Sequence, residues 1–162
     1  MEELKKEIVD KIIAIVEADI KISETSKKAA EDESKFHKGA MVSRYDTFKE
    51  EAQYLAGGQE RTLVDLREKL ARLKTLKVDH PKSIQHGSIY AIVELEEYGT
   101  NQIVRYFLLP TGGGQEFKFE DKVIRVVSLG SPISNALIGK KRDEVEINIR
   151  NNSKEYYVVS VQ

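Results

Sequence analysis

IVDKIIAIVEADIKI (residues 8–22) and LVDLREKLARLKTL (residues 63–76) decide the architecture. In the first run, apolar residues at Ile8, Ile12, Ile15 and Ile22 continue a stripe that starts at Leu4. In the second, Leu63, Leu66, Leu70, Leu73 and Leu76 continue one that starts at Phe48, Ala52 and Leu55. Spacings of three and four place each set on one helix face. Two such faces bury each other in an antiparallel pair, where facing residue numbers have a constant sum. Ile12 with Leu73, Ile15 with Leu70 and Ile22 with Leu63 all sum to 85. That register puts the turn at Val42–Ser43, just past Gly39. Each leg then holds roughly 35–40 residues, on the order of 55 Å at 1.5 Å per residue.

Working outward, the distal part of this hairpin has a thin core. Residues 23–39 are polar and highly charged, and small residues (Ala29, Ala30, Ala52, Ala56, Gly57, Gly58) fill the facing positions. Two readings stand for Gly57–Gly58: a hinge, or close approach of the two legs. The second leg starts near Ser43-Arg44-Tyr45-Asp46, with Asp46, Glu50 and Glu51 suited to the positive end of a helix. It ends near Lys77, and Asp79-His80-Pro81 breaks it, because proline cannot continue a helix. The division expected is a coiled-coil hairpin over 1–78 and a second domain over 84–162.

From Ser83 the hydrophobic period becomes two. Residues 89–95, 102–109, 122–129, 145–149 and 155–161 read as strands, joined by a turn at Tyr98-Gly99-Thr100-Asn101 and a loop at Pro110–Gly114. Ser131 to Leu137 reads as a short helix with Ser131 as its cap and Pro132 in its first turn, ended by Gly139. The expected fold class is α+β: a helical hairpin, then a small antiparallel sheet of four to six strands crossed by one short helix.

Composition removes several functions. Lys+Arg (26) and Asp+Glu (27) nearly balance, so no bulk positive charge points to nucleic acid. The absence of cysteine excludes disulfides and thiolate metal sites. No apolar run spans a bilayer, and the start at Glu2-Glu3-Leu4-Lys5-Lys6 lacks a signal-peptide core, so a cytoplasmic protein without membrane contact is expected. The PTGGG loop has no Lys-Ser/Thr after it and opens no long helix, which argues against a phosphate cradle. His37, His80 and His86 are scattered and read as ordinary surface residues. No cofactor is expected.

The run Ser131-Pro132-Ile133-Ser134-Asn135-Ala136-Leu137-Ile138-Gly139-Lys140-Lys141, followed by Asp143-Glu144-Val145, closely resembles the C-terminal signature of the Gre-type (GreA/GreB) transcription elongation factors. A preceding hairpin is also that family's architecture, so the resemblance covers essentially the whole chain. It implies an FKBP-like C-terminal domain that docks at the rim of bacterial RNA polymerase's secondary channel, with Ser131, Pro132 and Ile133 facing the polymerase. The alternative for Ile133 is packing under the sheet. It also implies a hairpin inserted into that channel, and contact with DNA or RNA only through the polymerase. Such a protein is an accessory factor and not an enzyme. An FKBP-like sheet raises the reading of prolyl isomerisation, but that site needs a deep aromatic pocket, there is no tryptophan, and fold alone does not give function. A chaperone-like use of the hairpin is the reading from another class.

The resemblance is weakest at the tip, Val42, Ser43, Arg44, Tyr45 and Asp46. Cleavage-stimulating members carry an acidic pair there that helps hold a second Mg²⁺. Carried over by register, those two positions are Val42 and Tyr45, which have no carboxylate. Asp46 is the one candidate metal-side carboxylate close by, and a helix cap is its other reading. The tip is therefore expected to be altered, without strong cleavage stimulation.

Overall fold

The computed structural model describes residues 1–36, 42–78, 86–119, 121–149 and 152–162; side chains at 33–36, 42–53, 55–56, 78, 148–149 and 152 fall outside that description. Two long helices come first, α1 (Glu2–Phe36) and α2 (Val42–Val78). Ion pairs give their relative direction. Lys77 Nζ meets Asp10 Oδ1 at 2.5 Å, Arg67 Nη2 meets Glu24 Oε1 at 2.8 Å, and Lys27 Nζ lies 3.6 Å from Glu60 Oε1. As one number rises the other falls, so the helices run antiparallel.

The seam differs from the expected one by about one residue on α1. Ile15 is 36% exposed and Ile22 65%, whereas Val16 is only 6% exposed. The inner face of α1 runs through Ile8, Val9, Ile12, Ile13 and Val16, then through half-buried Ile20, Ser23, Lys27 and Ala30. The pairs Asp10–Lys77 and Lys27–Glu60 both sum to 87, two more than the expected register. The cause lies in the isoleucine-rich run itself. It carries apolar residues at adjacent positions (8/9, 12/13, 15/16), so two overlapping stripes fit the same helical period. A seven-residue step also drifts by about 20° per heptad on a straight helix. The turn expected at Val42–Ser43 is corrected as well. Both residues lie in the first turn of α2. A register measured over 63–76 does not control where a helix ends twenty residues away. Gly57 and Gly58 lie within continuous α2, and a Cβ at either would meet nothing within 4 Å. Close approach of the legs is therefore not what places glycine there.

The sheet is built from β1 (Ile92–Glu97), β2 (Ile103–Leu109), β3 (Glu116–Phe119), β4 (Lys122–Ser128), β5 (Glu144–Ile149) and β6 (Asn152–Val161), in the order β3-β4-β2-β1-β6-β5. A short helix, α3 (Pro132–Leu137), lies between β4 and β5 in the chain. The α+β class is as expected, but the sheet is mixed: β2 and β4 pair in parallel, and all other pairs are antiparallel. β3 was hidden because its four residues sit between a glycine run and a turn. After β2 the chain skips one strand position, lays down β3, and returns as β4 to fill the gap. The glycine loop makes that crossover. Gly112 and Gly114 have φ of 85° and 96°, Gly113 N donates to Ser128 Oγ (2.8 Å) and Gly114 N to the Val126 carbonyl (2.9 Å). Two of its amides are thus used inside the fold, which disposes of the phosphate cradle.

One sheet face carries the main core: Val93, Leu95, Tyr106, Leu108, Val145, Ile147, Tyr156 and Val158, with Leu137 of α3 packed among them. Burying Leu137 fully contributes roughly 1.5–3 kcal/mol.

By packing, the chain divides into two compact units, Lys11–Ala71 and Met1–Asp10 with Arg72–Gln162. The first residues of α1 and the last of α2 thus belong with the sheet. The expected boundary at 78–83 falls mostly on 79–85, outside the described residues. Tyr90 joins these pieces. It is fully buried, its ring meets Phe107 edge-on at 5.6 Å, and its hydroxyl donates to Glu2 Oε1 at 3.0 Å. Lys5 Nζ stands 5.1 Å from the ring centroid. Tyr90 has φ of 70°, a left-handed conformation that costs a bulky residue on the order of 1–3 kcal/mol. Burial, then the Glu2 carboxylate, raises its phenol pKa, and burial lowers that of Lys5. Sequence alternation placed Tyr90 inside a strand; the strand begins two residues later.

Candidate functional site

The corner at Ser131–Ile133 is shaped by a helix start. Ser131 has extended backbone (φ −71°, ψ 152°), and its hydroxyl oxygen accepts the Ser134 amide at 3.1 Å. Ser134 Oγ donates back to the Ser131 carbonyl at 3.0 Å, and the Asn135 amide donates to the same carbonyl at 2.9 Å. Pro132 takes the first helical position, where its missing N–H costs nothing. Leu137 is fully buried, and Ile133 is half-buried against the core. Packing under the sheet is thus part of what Ile133 does. Pro132 is exposed, and so is Ile138 at the other end of α3. The apolar surface on offer here is that of Pro132 and Ile138 with an edge of Ile133.

The far end of α3 is clamped. The Gly139 amide donates to the Gly87 carbonyl (2.7 Å) and the Gly87 amide to the Lys140 carbonyl (2.6 Å). A Cβ on Gly87 would stand 1.9 Å from the Leu137 carbonyl oxygen, so only glycine permits this approach. Beyond it, Lys140 Nζ holds Asp143 Oδ2 at 2.7 Å, while Asp143 Oδ1 accepts the Glu144 amide at 2.9 Å. The lysine contact first, then that amide, lowers the Asp143 pKa. The corner, its helix and the following strand are thus fixed as one piece.

The expected tip residues, Val42, Ser43, Arg44, Tyr45 and Asp46, all lie in the first residues of α2; their side chains are outside the described set. Asp46 is the fifth residue of the helix, past the capping position, so the cap reading does not hold. Among the described residues no group of three His, Asp or Glu is placed to hold a metal. His86 is exposed; His37 and His80 lie outside the described residues. No described helix is long and apolar enough to cross a membrane.

Residues 86–162, the clamp, α3 and the whole sheet, match the family described as transcription elongation factor, GreA/GreB, C-terminal. The chain is also 31% identical over 118 residues to transcription elongation factor GreB of Yersinia pestis, an overlap covering 70% of this chain and 65% of that protein. Residues 86–162 are a Gre-family C-terminal domain. The chain spans less than two thirds of the length of that GreB relative, 65% of it. Two solved structures are also similar to it. The transcription factor Gfh1 is 14% identical, with a TM-score of 0.41, 93% of this chain and 92% of that one covered. Gfh1 of Thermus thermophilus, "GreA factor homolog 1", is 15% identical, with a TM-score of 0.39, 93% and 94% covered. At such scores the Gre assignment rests on the sequence matches alone.

Sequence reasoning missed the Gly87 clamp and the Glu2–Lys5–Tyr90 cluster. A glycine five residues ahead of a strand gives no signal of contact with residue 139. A lysine at the start of a charged helix reads as solvated until the sheet is seen beside it.

Proposed function

We propose that this chain is a Gre-type regulator of transcription elongation that binds RNA polymerase through its C-terminal domain and places its helical hairpin in the secondary channel, without strongly stimulating transcript cleavage. Family membership supports the polymerase as partner, and any phosphodiester chemistry belongs to the polymerase. The observation that carries the second half is the absence of a carboxylate at Val42 and Tyr45. A divalent ion such as Mg²⁺ needs oxygen ligands, usually one or two carboxylates besides water. Asp46 is left to supply one, with Glu50 a turn further along the helix. The exposed Pro132 on a rigid cap supports docking by the Ser131–Ile133 corner.

The test is a backtracked elongation complex with and without the protein. The expected result is little RNA shortening but competition with a genuine cleavage factor, and gain of some cleavage in Val42→Asp/Tyr45→Glu. Robust cleavage that disappears in Asp46→Ala would make this a true cleavage factor. Pro132→Arg, which alters an exposed side chain, should weaken capture of core polymerase while the fold is kept.

A further inference from the structure

The sheet face turned away from α3 is open at one end. Alternation along β1 puts Glu94 and Glu96 opposite the core residues Val93 and Leu95. Strand register then aligns one row across four strands: Ile103 on β2, Glu96 on β1, Tyr157 on β6 and Glu144 on β5. The next row pairs Glu155 directly with Glu146. Tyr98 stands beside them, its amide donating to the Glu155 carbonyl (3.0 Å) and its hydroxyl to Glu144 Oε1 (3.4 Å). Ile103 is 39% exposed, Tyr157 41% and Tyr98 60%, so three large side chains reach solvent in one patch.

The charges on this patch differ from those elsewhere on the sheet. Glu94, Glu97, Glu116 and Asp143 each hold a lysine or arginine. Among the described residues, none of Glu96, Glu144, Glu146 and Glu155 does; Ser153 donates to Glu146, and Tyr98 to Glu144. Two carboxylates directly opposite each other on neighbouring strands are destabilising, and Glu146–Glu155 is such a pair. A fold that keeps four uncompensated carboxylates around exposed tyrosine and isoleucine leaves both charge and apolar area for a partner to cover.

We propose that this face is a docking surface for a lysine- and arginine-rich protein segment that also carries apolar side chains. Its cations would sit against Glu96, Glu144, Glu146 and Glu155, and its apolar side chains against Ile103 and Tyr157. Nucleic acid has the wrong sign of charge for it. The surface is separate from the Ser131–Ile133 corner, which belongs with the opposite face, and the inference stands whether or not the polymerase reading does.

The test uses the full chain and a fluorescein-labelled twelve-residue peptide alternating arginine or lysine with leucine or valine. A second peptide, with glutamate at every basic position, is the control. Anisotropy should show salt-sensitive binding of the basic peptide alone, and amide shifts in NMR should cluster on β1, β5 and β6. Glu96→Lys/Glu155→Lys should weaken binding at least about ten-fold, and Ile103→Thr about three-fold. Glu155→Lys alone turns a like-charge pair into an opposite one and should raise the melting temperature, so loss of binding there is not unfolding. Shifts centred on the carboxylates of α1, affinity unchanged by the charge reversal, or equal binding of the acidic peptide would each overturn the proposal. So would self-association of the unmodified chain that Glu155→Lys abolishes, because the occupant would then be a second copy.

Discussion

Glycines of three kinds act in this chain, and a single methyl group separates them. At Gly87 the methyl would stand 1.9 Å from a backbone oxygen, so Gly87→Ala must push α3 off its clamp. A loss of about 3 kcal/mol is expected, read as a shift of the urea midpoint. At Gly57 and Gly58 there is open space, and the residues sit in a helix. Alanine there should stabilise by up to about 1 kcal/mol each. Glycines that turn chains, such as Gly139 with φ of 80°, should tolerate neither change nor strain. Tyr90 offers a test in pH. Its phenol is held neutral by burial and by Glu2, so its folded pKa lies above the unfolded value of about 10. The neutral form is thus favoured by folding. Its contribution is complete below pH 10 and is lost as pH rises past that value. The stability difference between the unmodified chain and Tyr90→Phe should be constant from pH 7 to 9 and shrink above pH 10 in denaturant titrations.

Among the elements, α1 is where pattern and structure part most clearly. Val16→Ala should cost about 2 kcal/mol, because Val16 is buried, whereas Ile15→Ala should cost well under 1 kcal/mol. Equal losses would restore the stripe through Ile15 that alternation of threes and fours suggests. The helices themselves were legible because their stripes extend over many turns. Their register was not, since neighbouring isoleucines satisfy two faces equally well. The short helix at Ser131–Leu137 was legible to the residue, for a serine cap followed by proline and ended by glycine leaves few alternatives. The parallel pairing of β2 with β4 was illegible, because β3 is only four residues long and strand order is a matter of distant contacts. The motif draws attention to the Ser131–Ile133 corner, but the row Ile103–Glu96–Tyr157–Glu144 could not be read. Its four residues lie 61 positions apart at the extremes and meet only through register.

For the whole molecule, the grouping of Met1–Asp10 with the sheet predicts that a substitution in the first helix is felt by the second half of the chain. Ile8→Ala should lower the thermal midpoint seen by near-ultraviolet tyrosine signals of the sheet by several degrees, while Ile22→Ala should leave it in place. Equal midpoints in both variants would mean that the base of α1 adds nothing to the sheet. The strand order has a further consequence, for the time course of biosynthesis. β6 lies between β1 and β5, yet it is made last of the three. At about 5–20 residues per second, the ribosome needs on the order of 3–10 s to pass from the end of β1 to the start of β6. Through that interval the nascent chain presents one edge of β1 with its amides and carbonyls unmated, and only the arrival of β6 seals it and lets β5 join.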